Sequence, residues 1–273
     1  MLESDILHHL THGIIEPDGY VPWGSNYTVV VTVIYEGDEL TAVYKPRKGE
    51  QPLWDFPTGT LCNRERAAYL VSQAAGWDIV PPTVLTRGPQ GIGSLQAFIE
   101  HDPNVHFFNF EHKQQLHDSL KTICLFDLII NNADRKGGHI IQEDHKVNGP
   151  DTDEVEFDEE VGGEVAEEVV GEVDREIGRL WAIDHGIAFH DEPKLRSVVW
   201  DYAGEPISED LLEALARLKA GLASSEKDSL KSQLEQLLNG RELGAFGRRI
   251  QRLHQTRVFP EPGPGRPYPW PMV

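Results

Sequence analysis

Two short stretches of the sequence carry residue types that could bind a metal ion. The stretch NNADRKGGHI places Asp134 beside Arg135, follows them with two glycines and reaches His139. The stretch WAIDHGIAF ends an apolar run on Asp184. Strand-end carboxylates are common in metal sites. A plain turn accounts for the glycines of the first stretch but not for the acid, the arginine and the histidine together.

A hairpin is predicted to bring these two stretches together. The segments HIIQ (139–142) and GRLWAID (178–184) are strand-like, and a long insertion at a hairpin tip costs little closure entropy. The strand pair lets Asp134 and Asp184 converge, with His139 between them. One carboxylate free and one on a metal is the arrangement that phosphoryl transfer needs.

The insertion itself, residues 143–177, is strongly acidic and supplies more than half of the net charge of −20. It repeats Glu, Val and Gly without a sustained helical or strand period, and its charges repel one another. The composition predicts a disordered insertion, either a solvated loop without function or a contact for a protein partner. The net charge argues against binding to nucleic acid or to an anionic membrane.

The first third of the chain is predicted to be an antiparallel sheet with one helix. TVVVTVIY and ELTAVYK are strands separated by the turn signal EGD, and PPTVL and SLQAFIE (94–100) are two more. RERAAYLVSQAAG is a helix with Glu65 in its first turns and Gly76 as its stop. Alternation along LTAVYK puts Lys45 on a core-side face, where a lysine needs an anion.

The rest of the chain is predicted to be mostly helical. Helices are expected in KQQLHDSLKTICLFDLII, in SEDLLEALARLKAGL with a cap signal at Ser208, and in KDSLKSQLEQLLNG. The tail, residues 259–273, is rich in proline and is expected to be extended. The fold class is therefore α+β, with an N-lobe over residues 1–99 and a C-lobe over residues 100–273.

The cellular location is predicted from the short apolar runs, the N-terminal sequence and the small number of cysteines. The longest apolar runs are too short to cross a bilayer, and MLESDILHHL has no basic region before an apolar stretch. The chain has two cysteines, Cys62 and Cys124, so a disulfide framework is not expected. We therefore expect a cytoplasmic protein without a transmembrane segment.

Five motifs, in the same order, resemble those of atypical kinases related to phosphatidylinositol 3- and 4-kinases, most closely a bacterial lipid-kinase-like branch. They are VYKP, RERAAYLVSQAAGWDIVPPTVL, QAFIEHD, NNADRKGGHI and AIDHGIAF. The resemblance covers nearly the whole chain apart from the acidic insertion and the tail. It implies a two-lobed protein-kinase-like fold and transfer of the γ-phosphate of ATP to a hydroxyl acceptor.

The resemblance also implies roles for residues of the N-lobe. Lys45 would contact the nucleotide phosphates and pair with Glu65. The backbone of the stretch that contains Gln96, Ala97 and Phe98 would touch adenine.

The phosphate-covering loop departs from the usual kinase pattern. GYVPWGSNYT stands between the first two strands without a G-x-G-x-x-G. Ser25, Asn26 and the local amides would therefore have to hold the phosphates.

In the C-lobe, the resemblance implies that Asp134 orients or deprotonates the acceptor hydroxyl and that Asp184 ligates Mg²⁺. We assign Arg135 to holding the loop. His139 takes the position of the second metal ligand, where the larger family usually has Asn. The resemblance implies Mg²⁺, whereas a neutral imidazole binds Mn²⁺ more readily than it binds Mg²⁺. Both ions are therefore candidates.

Three functions remain open at this point. The first is an ATP-dependent phosphotransferase, the second a pseudokinase or nucleotide-binding scaffold, and the third a metal-dependent hydrolase or nucleotidyl transferase. The acidic charge favours a protein or a small soluble molecule as acceptor over a lipid. The basic stretch GRRIQRLHQTR is a helix face, a partner for the insertion, or a contact for an anionic acceptor.

Overall fold

The computed structural model of the chain describes residues 1–19, 28–144 and 178–273. In chain order, their helices and strands are α1 (Glu3–His12), β1 (Ile14–Gly19), β2 (Val29–Tyr35), β3 (Asp38–Pro46), α2 (Leu61–Ala75), β4 (Thr83–Gly88), β5 (Gly91–Ala97), α3 (Phe107–Phe110), α4 (His117–Ile130), β6 (Ile140–Gln142), β7 (Leu180–Ala182), α5 (Glu209–Ala223), α6 (Leu230–Glu235) and α7 (Gly240–Thr256). This arrangement confirms the predicted α+β class, a strand-rich N-terminal part followed by a helical C-terminal part.

Strands β1 to β5 form one antiparallel sheet in the order β1-β2-β3-β5-β4. In β2, Val29, Val31 and Val33 are buried, as the period of two in VVVTVIY predicts. Glu36 and Gly37 join β2 to β3 with φ values of 54° and 94°, and such positive values suit a two-residue hairpin turn. The local pattern therefore determines the hairpin that carries Lys45.

Helix α1 is an addition to the predicted sheet and its one helix, and β1 is the strand before GYVPWGSNYT, whose residues the sequence reasoning did not assign. Leu10 of α1 is buried in the core of the sheet, and β1 pairs with β2. Strand β5 begins at Gly91, three residues before the predicted start, and so the predicted range 94–100 is wrong at both ends. Gly91, at φ 104°, closes the hairpin with Gly88 of β4, and strand pairing starts there.

Helix α2 begins at Leu61, earlier than predicted, and ends at Gly76, which has a left-handed φ of 70° as the stop signal requires. Its buried residues, among them Ala67 and Val71, belong to the same hydrophobic core as the C-terminal helices. The helix that carries Glu65 therefore packs into the helical part of the molecule. The division into lobes at residue 99 stays a prediction.

The C-terminal helices differ in length from the predicted ones. Helix α4 is preceded by a 3₁₀ turn at Gln114–Leu116, and α6 is much shorter than KDSLKSQLEQLLNG. Ser208 is the N-cap of α5, but among the described residues its side chain makes no capping hydrogen bond. The basic stretch lies on α7, and residues 260–273, all of them described, form neither helix nor strand.

Strands β6 and β7 form the predicted antiparallel pair, with Ile140 opposite Ala182. His139 precedes β6, in a 3₁₀ turn at Gly137–His139, and is not part of the strand. Residues 145–177, most of the acidic insertion, lie outside the described residues. Within the described ranges, no helix is long and apolar enough to cross a membrane.

A buried ion pair ties α2 to α7. Arg64 and Glu242 are 1% and 5% exposed, and the Arg64 guanidinium donates to the Glu242 carboxylate and to the Ala188 carbonyl. Glu242 also accepts the amide of Asn239 and so closes the N-terminus of α7. Removing one partner of such a pair leaves an uncompensated charge in the core.

We therefore expect Glu242→Ala to lower the free energy of unfolding by about 3–5 kcal/mol, measured by urea denaturation. The matched control is Glu209→Ala, which breaks an exposed pair with Arg257 and should cost under about 1 kcal/mol. Equal losses in the two variants would show that Arg64 does not depend on Glu242.

Candidate active site

A cleft of about 440 Å³ lies between the sheet β1–β5 and the β6–β7 pair. Valine and isoleucine side chains supply much of its wall, and charged groups gather at one side. The volume and the apolar walls are typical of a small-molecule site. The described lining includes Val30, Val43, Lys45, Glu65, Gln96, Ala97, Phe98, His139, Ile141, Ile183 and Asp184.

Lys45 joins two carboxylates that come from distant parts of the chain. Its Nζ atom lies 2.7 Å from Glu65 Oε1 and 2.9 Å from Asp184 Oδ1. Lys45 stands near the end of β3, Glu65 on α2, and Asp184 just after β7. The anion that a core-side lysine needs is thus supplied by two elements at once.

The charges of this cluster stabilise one another. Burial lowers the pKa of the Lys45 ammonium, but the Asp184 and Glu65 carboxylates outweigh burial and raise that pKa well above its usual value. The Lys45 ammonium in turn holds the pKa of Asp184 far below its usual range. The ammonium and the Asp184 carboxylate are therefore both charged at neutral pH.

Asp184 sits on a strained turn. Its φ is +59°, in the left-handed region that aspartate tolerates better than most residues. The next amide, that of His185, donates to Glu65 Oε2 at 2.9 Å. Glu65 therefore holds both the lysine and the backbone that presents Asp184.

Arg135 is fully buried and ties the loop at residues 131–139, the Asp134 loop, to the β6–β7 pair. Its guanidinium donates to both carboxylate oxygens of Asp127 on α4 and to the carbonyls of His139 and Ile183 at 2.9 and 2.7 Å. The remaining N–H donates to His185 Nε2 at 2.7 Å. All five donors are used inside the protein, and Arg135 is a positioning residue.

The two asparagines that open the Asp134 loop are buried and bonded to the chain on either side. Asn131 has a left-handed φ of 56°, and its amide donates to the carbonyls of His190 and Glu192. Asn132 donates to Asp127 Oδ1 at 3.0 Å and accepts the amide of Asp134 at 3.0 Å. These bonds make the loop a rigid support for Asp134.

Asp134 is partly buried, with 29% of its side chain exposed. Lys136 Nζ lies 3.7 Å from its Oδ2 atom. Burial raises the pKa of Asp134 to about 6, Lys136 opposes that rise, and the charge of Asp184 adds to it. A carboxyl group with such a pKa is suited to accept a proton near neutral pH.

His139 is held in one tautomer. Its Nδ1 atom lies 2.8 Å from the Asp134 carbonyl and 3.4 Å from the Lys136 amide nitrogen. The shorter contact is to an oxygen that can only accept, and we therefore assign the proton to Nδ1. Its Nε2 atom then presents a lone pair 3.4 Å from Asp184 Oδ2. Burial lowers the pKa of His139 to about 4 although Asp184 opposes this. A neutral imidazole therefore faces a carboxylate.

This donor set fits a divalent cation with few protein ligands. A lone pair on His139 Nε2 and the oxygens of Asp184 converge, and a backbone carbonyl fixes the imidazole as is usual for histidine ligands. Across the described ranges, no group of three or more His, Cys, Asp or Glu side chains could hold a metal ion. Other ligands would have to come from substrate oxygens, which is common for Mg²⁺.

The predicted adenine-contacting stretch lines the cleft, but part of its backbone is already engaged. The amides of Ala97 and Phe98 donate to the carbonyls of Pro82 and Thr41 at 2.9 and 3.1 Å. The side chain of Gln96 is buried and donates to Thr83. Contact with adenine stays a prediction for these three residues.

The predicted phosphate-holding residues, Ser25 and Asn26, lie outside the described residues. Thr28, the first described residue after them, lines the cleft.

Two residues of this site escaped the sequence reasoning. Lys136 stands two positions after Asp134, where an extended loop brings side chains to the same side, and this spacing could have indicated it. Asp127 is a buried acid within the apolar run LFDLII. An acid inside an apolar helix face requires a buried partner, and this requirement could have indicated the pair of Asp127 with Arg135.

The overall fold is that of kinases. The solved structure of the Golgi casein kinase with Mn/ADP bound matches 93% of this chain and 74% of its own chain, with a TM-score of 0.52 and 16% sequence identity. At that identity the likeness shows the fold.

A close sequence relative identifies the family. The chain is 34% identical to Protein Rv2133c of Mycobacterium tuberculosis over an alignment of 299 positions, gaps included, which covers 96% of the chain and 93% of that protein. The chain belongs to the family of Protein Rv2133c. A scan against models of protein families gives no match.

We expect His139 to remain neutral in the metal-free protein until the pH falls to about 4. Between the ordinary value of 6.5 and this pKa, the unfolded chain binds a proton that the folded chain does not. The contribution of His139 to stability is therefore lost as the pH falls through that window. Imidazole ¹⁵N spectra check this, with the signal assigned by its loss in His139→Asn, and titration near 6.5 contradicts it.

Proposed function

We propose that this chain is an ATP-dependent phosphotransferase that moves the γ-phosphate of ATP to a hydroxyl acceptor. The observation that carries the proposal is the contact of Lys45 with both Glu65 and Asp184 in a cleft of nucleotide size. The kinase-like fold and the order of the motifs resembling phosphatidylinositol 3- and 4-kinase-like proteins support it. A cation paired with carboxylates beside an apolar cavity suits a purine with a phosphate chain.

In this proposal, Lys45 binds phosphate oxygens of ATP. Its ammonium is charged and its orientation is fixed by Glu65, so little side-chain entropy is lost when phosphate binds. Asp184 and His139 would hold a divalent metal ion, which would supply positive charge beside the transferred phosphoryl group. Arg135 keeps the segments of Asp134, His139 and Asp184 at fixed separations.

Asp134 acts on the acceptor hydroxyl. A pKa of about 6 leaves it largely ionised at neutral pH yet basic enough to take a proton. Lys136, 3.7 Å away, is placed to balance the negative charge that gathers around the reacting groups. The rigid asparagine contacts of the loop hold the carboxylate in place.

For the acceptor, we propose a chemical class and not a particular molecule. A protein or a small soluble molecule suits the net charge of −20 better than a lipid in an anionic membrane. A cytoplasmic location, and a role of the acidic insertion in binding a protein partner, also stay predictions. Both cysteines are free and buried, as a reducing compartment allows.

Product analysis separates this function from the two alternatives. A nucleotide-binding scaffold binds ATP without turnover. A nucleotidyl transferase moves label from α-labelled ATP, whereas a kinase moves label from γ-labelled ATP.

We expect Asp134→Asn to reduce label transfer from γ-labelled ATP by about 10²- to 10⁴-fold, because the general base is lost. ATP affinity, measured by calorimetry, should change little. For the wild type, the rate should fall as the pH drops below about 6, where Asp134 becomes protonated. The control is Asp118→Asn, an exposed carboxylate on α4. A full rate in Asp134→Asn removes Asp134 from the mechanism.

A second experiment concerns the metal ion. We expect His139→Asn to weaken Mn²⁺ binding by about tenfold in the presence of a non-hydrolysable ATP analogue, since an amide oxygen replaces an imidazole nitrogen. Electron paramagnetic resonance measures free Mn²⁺ directly. The control is His112→Asn, a change at an exposed histidine. Because an asparagine oxygen can itself bind the ion, His139→Ala is measured as well, and unchanged affinity in both variants excludes His139 as a ligand.

A further inference from the structure

The end of the chain is bonded to the middle of the Asp134 loop. The amide of Gly137 donates to the carbonyl of Met272 at 2.7 Å. Gly137 lies between Asp134 and His139, in the turn that presents the imidazole. Residues 264–272, here called the tail segment, therefore touch the loop between its two functional side chains.

A second bond reaches the same loop indirectly. The carbonyl of Pro267 accepts the amide of Ser197 at 2.9 Å and the indole N–H of Trp200 at 3.2 Å. Ser197 in turn lies beside Arg135 in a parallel bridge, and the amide of Val198 donates to the Arg135 carbonyl. The tail segment is thus attached at two points to the support of the loop.

The turn needs such an outside partner because it contains two glycines. Gly137 and Gly138 have no side chains whose packing could hold the backbone. A Cβ atom on Gly137 would lie 3.0 Å from the ring of Phe108 and 3.5 Å from the Met272 carbonyl. Phe108 and the tail segment therefore close one side of the turn.

The tail segment makes its hydrogen bonds to the loop and its support with main-chain carbonyls, and Pro269 is its one buried side chain. Trp270 is 77% exposed and Met272 is 37% exposed, so these side chains contribute little to the attachment. The segment PGRPYPWPM contains four prolines, whose rings restrict the free chain. A restricted chain loses less entropy when it docks, so a few main-chain bonds suffice to hold it.

We infer that the tail segment is a positioning element for the Asp134 loop. By holding Gly137 and Ser197 it keeps the Gly137–His139 turn in place, and with it the separation of Asp134 from His139. The consequence for catalysis rests on the proposed phosphotransferase function. The consequence for the loop does not, and it can be measured without any substrate.

The test compares the full chain with a variant that ends at Gly263. This variant retains Phe259, which is buried and bonded to the main chain at Gly204 and Glu205. We expect faster amide hydrogen exchange in residues 135–142 and 196–200 and unchanged exchange in α5. The kcat should fall by about 10- to 100-fold, the loss expected from displaced catalytic groups, with a nearly constant KM for ATP. A synthetic peptide of residues 264–273 should restore both, and a scrambled peptide should not.

Full-length variants guard against a folding defect. Met272→Ala keeps the carbonyl and should behave as the wild type. The double variant Pro264→Gly and Pro267→Gly keeps both carbonyls and the buried Pro269 but loosens the free segment, and it should show a weaker form of the truncation effect. Unchanged exchange in the truncated protein, or a higher kcat, overturns the inference. A full chain without phosphate transfer refutes the proposed function, while the exchange comparison still decides the role of the tail segment.

Discussion

The buried ion pair between Arg135 and Asp127 is the constraint on which the site depends. A guanidinium at 0% exposure is stable only if its charge is paired and its donors are satisfied. Its acceptors come from α4, from the carbonyls of His139 and Ile183, and from His185. Each of these acceptors must lie at hydrogen-bond distance and in line with an N–H of the guanidinium. When all five N–H groups of Arg135 are bonded, the Asp134 loop, the strand pair and the Asp184 turn are therefore held together.

The charges in the cleft follow from that assembly. Glu65, Asp134 and Asp184 are three carboxylates, and the nearby ammonium groups are Lys45 and Lys136. The Asp184 charge contributes to the raised pKa of Asp134, while Lys45 lowers the pKa of Asp184. Because their neighbours differ, the two carboxylates have opposite tendencies, Asp134 to accept a proton and Asp184 to remain charged. The proposed function uses this difference, with Asp134 as the base and Asp184 as a ligand of the cation.

Local pattern was sufficient to predict most of the helices and strands, though not α1 or β1, and it did not predict where several of them begin and end. Alternation located β2 and β3, and the Gly76 stop ended α2 where it was expected, because these signals lie within a few residues of one another. The start of β5 depended on pairing with β4, and the short α6 on packing against α5 and α2, which no local period encodes. The chemically distinctive residues were visible in the sequence, yet Lys45 and Asp184 are separated by 139 positions. The resemblance of the motif order, not periodicity, paired Lys45 with Glu65.

The turn that presents His139 is held by contacts to its main chain and not by the side chain at position 139. Because Gly137 and Gly138 supply no side chains, the turn is held by bonds to its main chain, from Arg135 inside and from Met272 outside. The imidazole itself is oriented by the Asp134 carbonyl, another main-chain group. Because these contacts are made by the backbone, the side chain at position 139 has only to reach Asp184. Histidine can therefore occupy position 139, where the kinases that the motifs resemble usually have asparagine, and as the proposed ligand it would favour Mn²⁺ over Mg²⁺ without a change in the geometry of the loop.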